Sequence, residues 1–342
     1  MATVESLPEE VIALVRGASI AEFATVSGAG VPIDTPTSHF PNDDLSQIDI
    51  TTGLAYPIKA ERARRNPKVG LLVEGRKNQP VVSIAGHAAV RDADLQANVL
   101  RYLSESSSSM PGNPPWEMAR KANWYWVRVL VSITPVRILW WDRPSAMNAP
   151  PHRWDAPAPD AYPQSDPEPP APPSPASKWP QPAWPDLAAD ILSHNASGHL
   201  TLLDDEGYPL PIRVHAAVQT SEGFYLRLPK GTPWRRQGKA TICFEGKATF
   251  IGEVSTDGDA IFLKVERALP VLPLMRDLKE LFEPTPETYE IMMKRLREEV
   301  ARRGQDIPII PEIQPEPTEG AKRRLASGLI PPAQAKAPTT AT

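Results

Sequence analysis

The sequence predicts a mainly β protein with small connecting helices: two tandem antiparallel β-barrels forming an internal pseudo-dimer, joined by a Pro-rich linker. Three observations predict it. Short runs of β-branched and apolar residues recur between Gly-, Pro- and Asn-containing turns, spaced too closely for βαβ units. The pattern of the first 143 residues returns after residue 184. Between the copies, prolines recur every few residues with Ala, Asp and Ser, a composition that cannot bury enough apolar area to pack.

In chain order, Ser6-Leu7-Pro8-Glu9 is a capping-box pattern opening a helix whose apolar face is Val11, Ile12, Leu14 and Val15, ending near Gly17. Ala21 to Val26 reads as a strand, Ser27-Gly28-Ala29-Gly30 as a hairpin turn, and Val31 to Phe40 as the return strand, irregular at Pro32 and Pro36. A third strand, Ile48 to Thr51, runs into Thr51-Thr52-Gly53 and a basic helix from about Pro57 to Asn66-Pro67. Val69 to Val73 and Val81 to Val90 are two more strands, and Asp92 to Ser104 is a helix with Leu95, Val99, Leu100 and Leu103 on one face. A short helix near Trp116 to Ala122 and a long strand from Trp124 to Trp141 complete the first unit.

The second unit repeats the first. LTLLDDEGYPL, Leu200 to Leu210, matches FATVSGAGVPI, Phe23 to Ile33; Phe224 to Leu228 falls on Ile48 to Thr52; and KATICFEG, Lys239 to Gly246, falls on KVGLLVEG. Ile251-Gly252 falls on Ala85-Gly86, and Pro270-Val271 on Pro135-Val136. Two copies in one chain suggest a fused dimer. The resulting division is 1–143 first barrel, 144–183 linker, 184–282 second and degenerate barrel, 283–305 C-terminal helix, and 306–342 a disordered Pro- and Ala-rich tail. The helix opens at Thr285-Pro286-Glu287 and carries Tyr289, Met292, Met293, Leu296 and Val300, a face suited to packing on the barrels.

Composition narrows the function. Net charge is −4, against a general nucleic-acid binder. The one cysteine, Cys243, excludes an intrachain disulfide, fits a reducing compartment and reads as a buried structural thiol. The N-terminus lacks a signal-peptide pattern, and the most apolar run, Trp124 to Trp141, is broken by Arg128, Pro135 and Arg137, so a soluble, cytoplasmic protein without membrane or nucleic-acid partners is expected. There is no Walker loop, HExxH, CxxC or Gly-x-Ser-x-Gly, and no metal site is indicated.

The stretch Ile48 to Gly75 carries the chemistry. Hydroxyl residues at a strand end followed by a helix N-terminus, with Lys59 adding a full charge, make a seat for a phosphate, while KAERARRNPK taken by itself reads as a solvated basic helix face; its place in a duplicated barrel favours the seat. In the second copy Pro229-Lys230-Gly231-Thr232-Pro233-Trp234-Arg235-Arg236-Gln237 replaces it, shorter and without the TTG turn, so the seat occurs once.

The order helix, Gly-x-Pro hairpin, strand ending TTG, Lys-bearing helix, Asn-Pro-x-Val strand and Gly-containing strand resembles the pyridoxamine 5′-phosphate oxidase-like, FMN-binding split-barrel superfamily. The resemblance covers Ser6 to Trp141 and, more weakly, Trp184 to about Leu274. It implies a flavin between two barrels, its ring and ribityl chain along Thr35, Pro36, Thr37 and Ser38, and its phosphate on Thr51, Thr52 and Lys59. Trp140 and its neighbour Trp141 stand at a strand end, where paired aromatics cover a core edge or reach a flavin across an interface.

True pyridoxamine phosphate oxidases carry an Arg where Thr35 stands, Ser-Arg-Lys where Pro57-Ile58-Lys59 stands, and a basic C-terminal motif. This chain lacks all three, which puts vitamin B6 oxidation out of reach. The expectation is an FMN-dependent oxidoreductase of unknown small-molecule substrate. The alternatives are a deazaflavin-dependent reductase and a non-catalytic flavin- or haem-binding sensor. Haem ligation would fall to His39, His87, His194, His199 or His215, none at a ligand-pair spacing. The internal pseudo-dimer leaves room for a further homodimer.

Overall fold

A computed structural model describes residues 7–110, 114–157, 159–172, 183–234, 236–245, 248–257, 260–269 and 283–329. The first unit opens with α1 (Glu9–Gly17), then β1 (Ile20–Val26), β2 (Pro32–Pro41), β3 (Ile48–Gly53), α2 (Ile58–Arg65), β4 (Lys68–Glu74), β5 (Val81–Arg91) and α3 (Leu95–Ser106). Two single-turn helices, α4 (Trp116–Ala119) and α5 (Asn123–Trp126), precede β6 (Arg128–Trp141). The long strand thus starts at Arg128 and not at Trp124. Trp124 and Trp126 sit on a helical turn that buries both indoles, packing that overrides their strand propensity.

Strand order is β3-β2-β1-β4-β5-β6, and β3 pairs back onto β6, closing a six-stranded barrel. Along β1, Phe23 points into the core while Glu22 and Ala24 face outward, the period-2 alternation of a strand buried on both faces.

The second unit has α6 (Trp184–Ser193), β8 (Gly198–Leu203), β9 (Pro209–Arg213), β10 (Ala216–Gln219), β11 (Gly223–Arg227), β12 (Gly238–Phe244), β13 (Ala248–Asp257) and β14 (Ala260–Ala268), in the order β10-β11-β14-β13-β12-β8-β9. Here β9 and β10 are the two halves of the strand that is continuous as β2, interrupted at Val214-His215, so the sheet curls without a closed ladder. The registers superpose. Gly70 faces Ala24 as Thr241 faces Thr201, and both copies carry a β-bulge at the same place, Ala85/Gly86 and Ile251/Gly252. Gly252 pairs with Val265 as Gly86 pairs with Pro135, so Val265 is the register equivalent of Pro135. Pro270-Val271, matched to Pro135-Val136 on sequence, lie outside the described residues.

The two units pack through their outer faces. Leu72, Val81, Ala85, Leu139 and Trp141 of the first barrel belong to the apolar cluster that fills the second. Gly70 lies under Pro209, where an added Cβ would come within 1.7 Å of the carbonyl oxygen. The equivalent contact on the other side of the pseudo-dyad is a hydrogen bond, from Thr241 Oγ1 to Pro32 O. No helix among the described residues is long and apolar enough to cross a membrane.

Two regions depart from the sequence reading. The stretch 144–183 is expected as a free spacer, yet its described part lies on the first barrel. In it β7 (His152–Asp155) pairs with β6, Tyr162 stacks on His87 with ring centroids 4.2 Å apart, and Asp166 accepts from the Asp92 and Ala93 N–H groups. Average composition hides these anchors: a few aromatic and charged side chains suffice to hold a proline-rich strand whose backbone needs few partners.

Residues 306–342 are expected to be disordered. Yet α7 (Pro286–Arg302) is followed by an ordered return in which α8 (Glu319–Ser327) packs on α1 and α3; Ile310, Ala321 and Arg324 are buried, and Arg324 Nη2 meets Glu105 Oε2 at 2.5 Å. Residues 330–342 lie outside the described part.

Candidate functional site

Strands β2 and β3 pair only over His39–Pro41 and diverge upstream, which opens a mouth in the barrel wall beside Thr35–Ser38. At its floor Thr37 Oγ1 donates to Thr51 O at 2.6 Å. Helix α2 packs on β5, β1 and β6 and reaches the mouth through Lys59, whose Nζ donates to Pro36 O at 2.8 Å. Thr35, Pro36, Thr37, Ser38, Thr51 and Lys59 are thus brought together by β2, β3 and α2. Thr52 is next in line on β3; its hydroxyl is buried and has no hydrogen-bond partner. Gly53 admits the Tyr56 ring so closely that an added Cβ would meet it at 2.5 Å. That ring and those of Tyr102 and Tyr125 surround the buried Arg128 guanidinium, 4.6 and 4.4 Å from the latter two centroids.

Trp140 is not part of this group. It lies at the other end of the 14-residue strand β6, whose N-terminal end pairs with Thr52, and it stacks on His152 of β7. At roughly 3.3 Å per residue that is about 40 Å of strand. Trp141 packs into the second cluster and donates to Ala149 O.

Charge on α2 is distributed unevenly. Glu61 and Arg64 are paired in a buried network. Lys59 and Arg62, neighbours at i and i+3, have no ion-pair partner among the described residues. Burial lowers Arg62 to about 10, with Arg65 and Arg267 of the second barrel adding repulsion. Burial likewise brings Lys59 down to about 8, opposed by Glu22 and Asp34. Two under-compensated cations at the mouth of a barrel, with a third supplied by the other barrel, form a place for an anion.

The wall facing Lys59 was missed by sequence reasoning. Glu22 on β1, Asp34 on β2 and Glu74 on β4 meet His199 on β8 and Cys243 on β12, all buried or nearly so, across the junction between barrels. His199 Nε2 contacts Glu74 Oε2 at 2.7 Å, and its Nδ1 is 3.8 Å from Glu22 Oε1. Cys243 Sγ donates to Glu22 Oε2 at 3.6 Å, and Thr201 Oγ1 donates to Asp34 Oδ2 at 3.1 Å. Asp34 Oδ1 is left without a partner. Burial, reinforced by Glu22, pushes Asp34 up to about 8. Burial alone would lower His199, but Glu74, Glu22 and Asp34 raise it to about 9.

A signal for this cluster existed. Glu22 and His199 occupy equivalent positions of the repeat, and a fused dimer brings residues near its axis face to face.

The second copy differs at each of these points. Its strand breaks where Thr37 and Ser38 stand in the first, Trp234 is folded into its core and donates to Leu210 O, and Pro150 of the linker abuts Gly231. Arg213 Nη1 lies 3.5 Å from Glu74 Oε2 of the first barrel. Of the histidines, His39 bonds Val15 O, His194 bonds Asp190 O, and no group of three or more His, Cys, Asp or Glu able to hold a metal occurs among the described residues.

Solved structures similar to this chain include a putative pyridoxamine 5′-phosphate oxidase from Listeria innocua (20% identity, 38% of this chain and 94% of that one, TM-score 0.29). Others are a pyridoxamine 5′-phosphate oxidase-related, FMN-binding protein from Nostoc punctiforme (18%, 40% and 86%, TM-score 0.30) and an F420 reductase (17%, 39% and 98%, TM-score 0.30). The chain resembles these split barrels in fold. Each is covered largely or wholly by about two fifths of this chain, and at such identities and TM-scores the likeness assigns no cofactor. No protein-family model and no curated protein matches the chain.

Proposed function

We propose that the chain is a flavin-dependent oxidoreductase holding one FMN at the mouth of its first barrel. The observation that carries the reading is the Lys59–Arg62 pair on α2, without an ion-pair partner among the described residues, beside the split between β2 and β3, on a helix where Glu61 and Arg64 are both compensated. The residues present fit such a group. Lys59 and Arg62 would hold the phosphate, and the Thr52 hydroxyl is a donor in reserve. The β2 backbone at Thr35–Ser38, unpaired on its β3 side, would run along the ring and ribityl chain.

When bound, a flavin supplies hydride transfer at its ring. The chain would orient it and exclude water through the buried junction, where Asp34, pushed up to about 8 by burial, has a buried Oδ1 without a hydrogen-bond partner.

A deazaflavin is the second reading, favoured by the cationic surplus. A longer anionic tail would find Arg62 and Arg267 beyond Lys59. The structural neighbours include both an FMN-binding protein and an F420 reductase, so they do not choose between the two cofactors. Nothing in the structure favours haem.

An absorption spectrum of the purified protein, followed by titration with FMN and then with deazaflavin, tests the reading. Flavin bands, or saturable binding of FMN, are expected. A spectrum that stays empty through both titrations contradicts it.

A further inference from the structure

Helix α7 follows the second barrel in the chain but packs on the first. Met292, Met293, Leu296 and Val300 enter the first barrel's core, while Arg295 Nε donates at 2.6 Å to Ala55 O, in the turn between β3 and α2. At the other end of α7, Arg302 Nη1 meets Glu61 Oε1 at 2.6 Å and Arg303 Nη2 meets the same oxygen at 3.4 Å. Glu299 Oε2 accepts from both arginines at 3.2 and 2.6 Å. Arg303 Nε reaches Asp92 Oδ2 at 2.9 Å, and Arg64 closes the set on Asp92 Oδ1 at 2.7 Å. Three guanidinium groups thus face three carboxylates, and none of the six side chains is more than 7% exposed.

Buried networks of this kind add little net stability over apolar packing, but they admit one geometry. The two contacts of α7 with the clamp fall on either side of Lys59: Ala55 in the turn before it, and Glu61 on the helix after it. We propose that α7 is a strap that positions the seat. By fixing Ala55 and Glu61 it sets the direction in which Lys59 and Arg62 present their charges to an anionic cofactor. Arg295, Arg302 and Glu61 are then positioning residues, and a segment outside both barrels decides how well the first one holds a phosphate. The strap rests on the reading of Lys59 and Arg62 as that seat.

Full-length protein is titrated with FMN and with riboflavin, which lacks the phosphate, in wild type, Lys59→Ala, Glu61→Gln and Arg295→Ala. Glu61→Gln is isosteric and leaves Arg302 and Arg303 paired with Glu299 and Asp92, so it keeps the fold; Arg295→Ala removes the other anchor independently. Lys59→Ala should abolish the preference for FMN. Each strap variant should reduce that preference about tenfold, equivalent to ~1.4 kcal/mol, with riboflavin affinity unchanged.

An unchanged preference in both strap variants, with preference lost in Lys59→Ala, overturns the strap and leaves the seat standing. Equal losses for FMN and riboflavin in both strap variants would reduce α7 to a purely structural helix. Preference retained in Lys59→Ala overturns the seat and the strap with it.

Discussion

At the residue scale Lys59 is decisive. Its ammonium is half-buried, bonded to Pro36 O, and held at about 8 mainly by burial. A phosphate dianion binds the charged form, so FMN affinity in the wild type should be highest below about pH 8. It should decline as pH rises through that value, because the ammonium then gives up its proton. Lys59→Ala should lose at least tenfold in affinity and this limb of the pH profile together, with far-UV circular dichroism unchanged.

His199 offers a second titration. Its pKa is raised from 6.5 to about 9 against burial by Glu74, Glu22 and Asp34, so the folded state binds a proton that the unfolded chain has released between those values. The stabilisation is complete below about 6.5 and is lost as pH climbs through about 9. It is worth about 3 kcal/mol at most. Denaturant midpoints of wild type and His199→Gln should therefore differ most near pH 6 and converge by pH 10. A pH-independent difference would mean that His199 is neutral in the fold.

Thr51, Thr52 and Lys59 stood out because hydroxyls at a strand end beside a lysine-bearing helix form a local pattern, and Thr35 to Ser38 only through the family resemblance; the fold brings Pro36 to Lys59 and Thr37 to Thr51. Glu22, Asp34 and His199 did not stand out, because each is an ordinary residue of its own strand and acquires meaning only across the junction.

At the element scale, the equivalent contacts of Gly70 and Thr241 show how far the copies have diverged. Gly70 lets β4 approach the β9 backbone at Pro209, while Thr241 fills the same place with a hydrogen bond to Pro32 O. Gly70→Ala forces the barrels apart at that point and should cost ~2–3 kcal/mol by overpacking, measured by urea denaturation. Thr241→Ala, which removes a hydroxyl without adding volume, should cost about 1 kcal/mol.

The strands and the correspondence of Ala85-Gly86 with Ile251-Gly252 were legible from β-branched runs and glycine spacing, which are local, whereas the strand order and the bulges at those pairs appear only in the fold. Trp124 to Trp126 read as strand because three consecutive aromatics carry no period. The linker and tail read as unpacked from average composition, whereas their placement depends on a few anchors: Trp154, Tyr162, Asp166, Ile310 and Arg324.

At the scale of the whole molecule, duplication has been used asymmetrically. One copy keeps a closed barrel, an open mouth and a Lys59–Arg62 pair with no ion-pair partner among the described residues. The other has a broken β2 equivalent, Trp234 in its core and linker residues against its loop. The near-axis positions that would face their own copies in a homodimer carry Glu22 and His199, which attract. This fits heterologous pairing within one chain. On the proposed function the second barrel would serve as the far wall of a single site, contributing His199, Thr201, Cys243 and Arg267.

Cofactor stoichiometry tests that claim most directly. Titration of the full chain with FMN, read by quenching of flavin fluorescence, should saturate at one cofactor per chain, and Lys59→Ala should weaken that binding at least tenfold. Two per chain, or wild-type affinity retained in Lys59→Ala, would contradict a single seat in the first barrel.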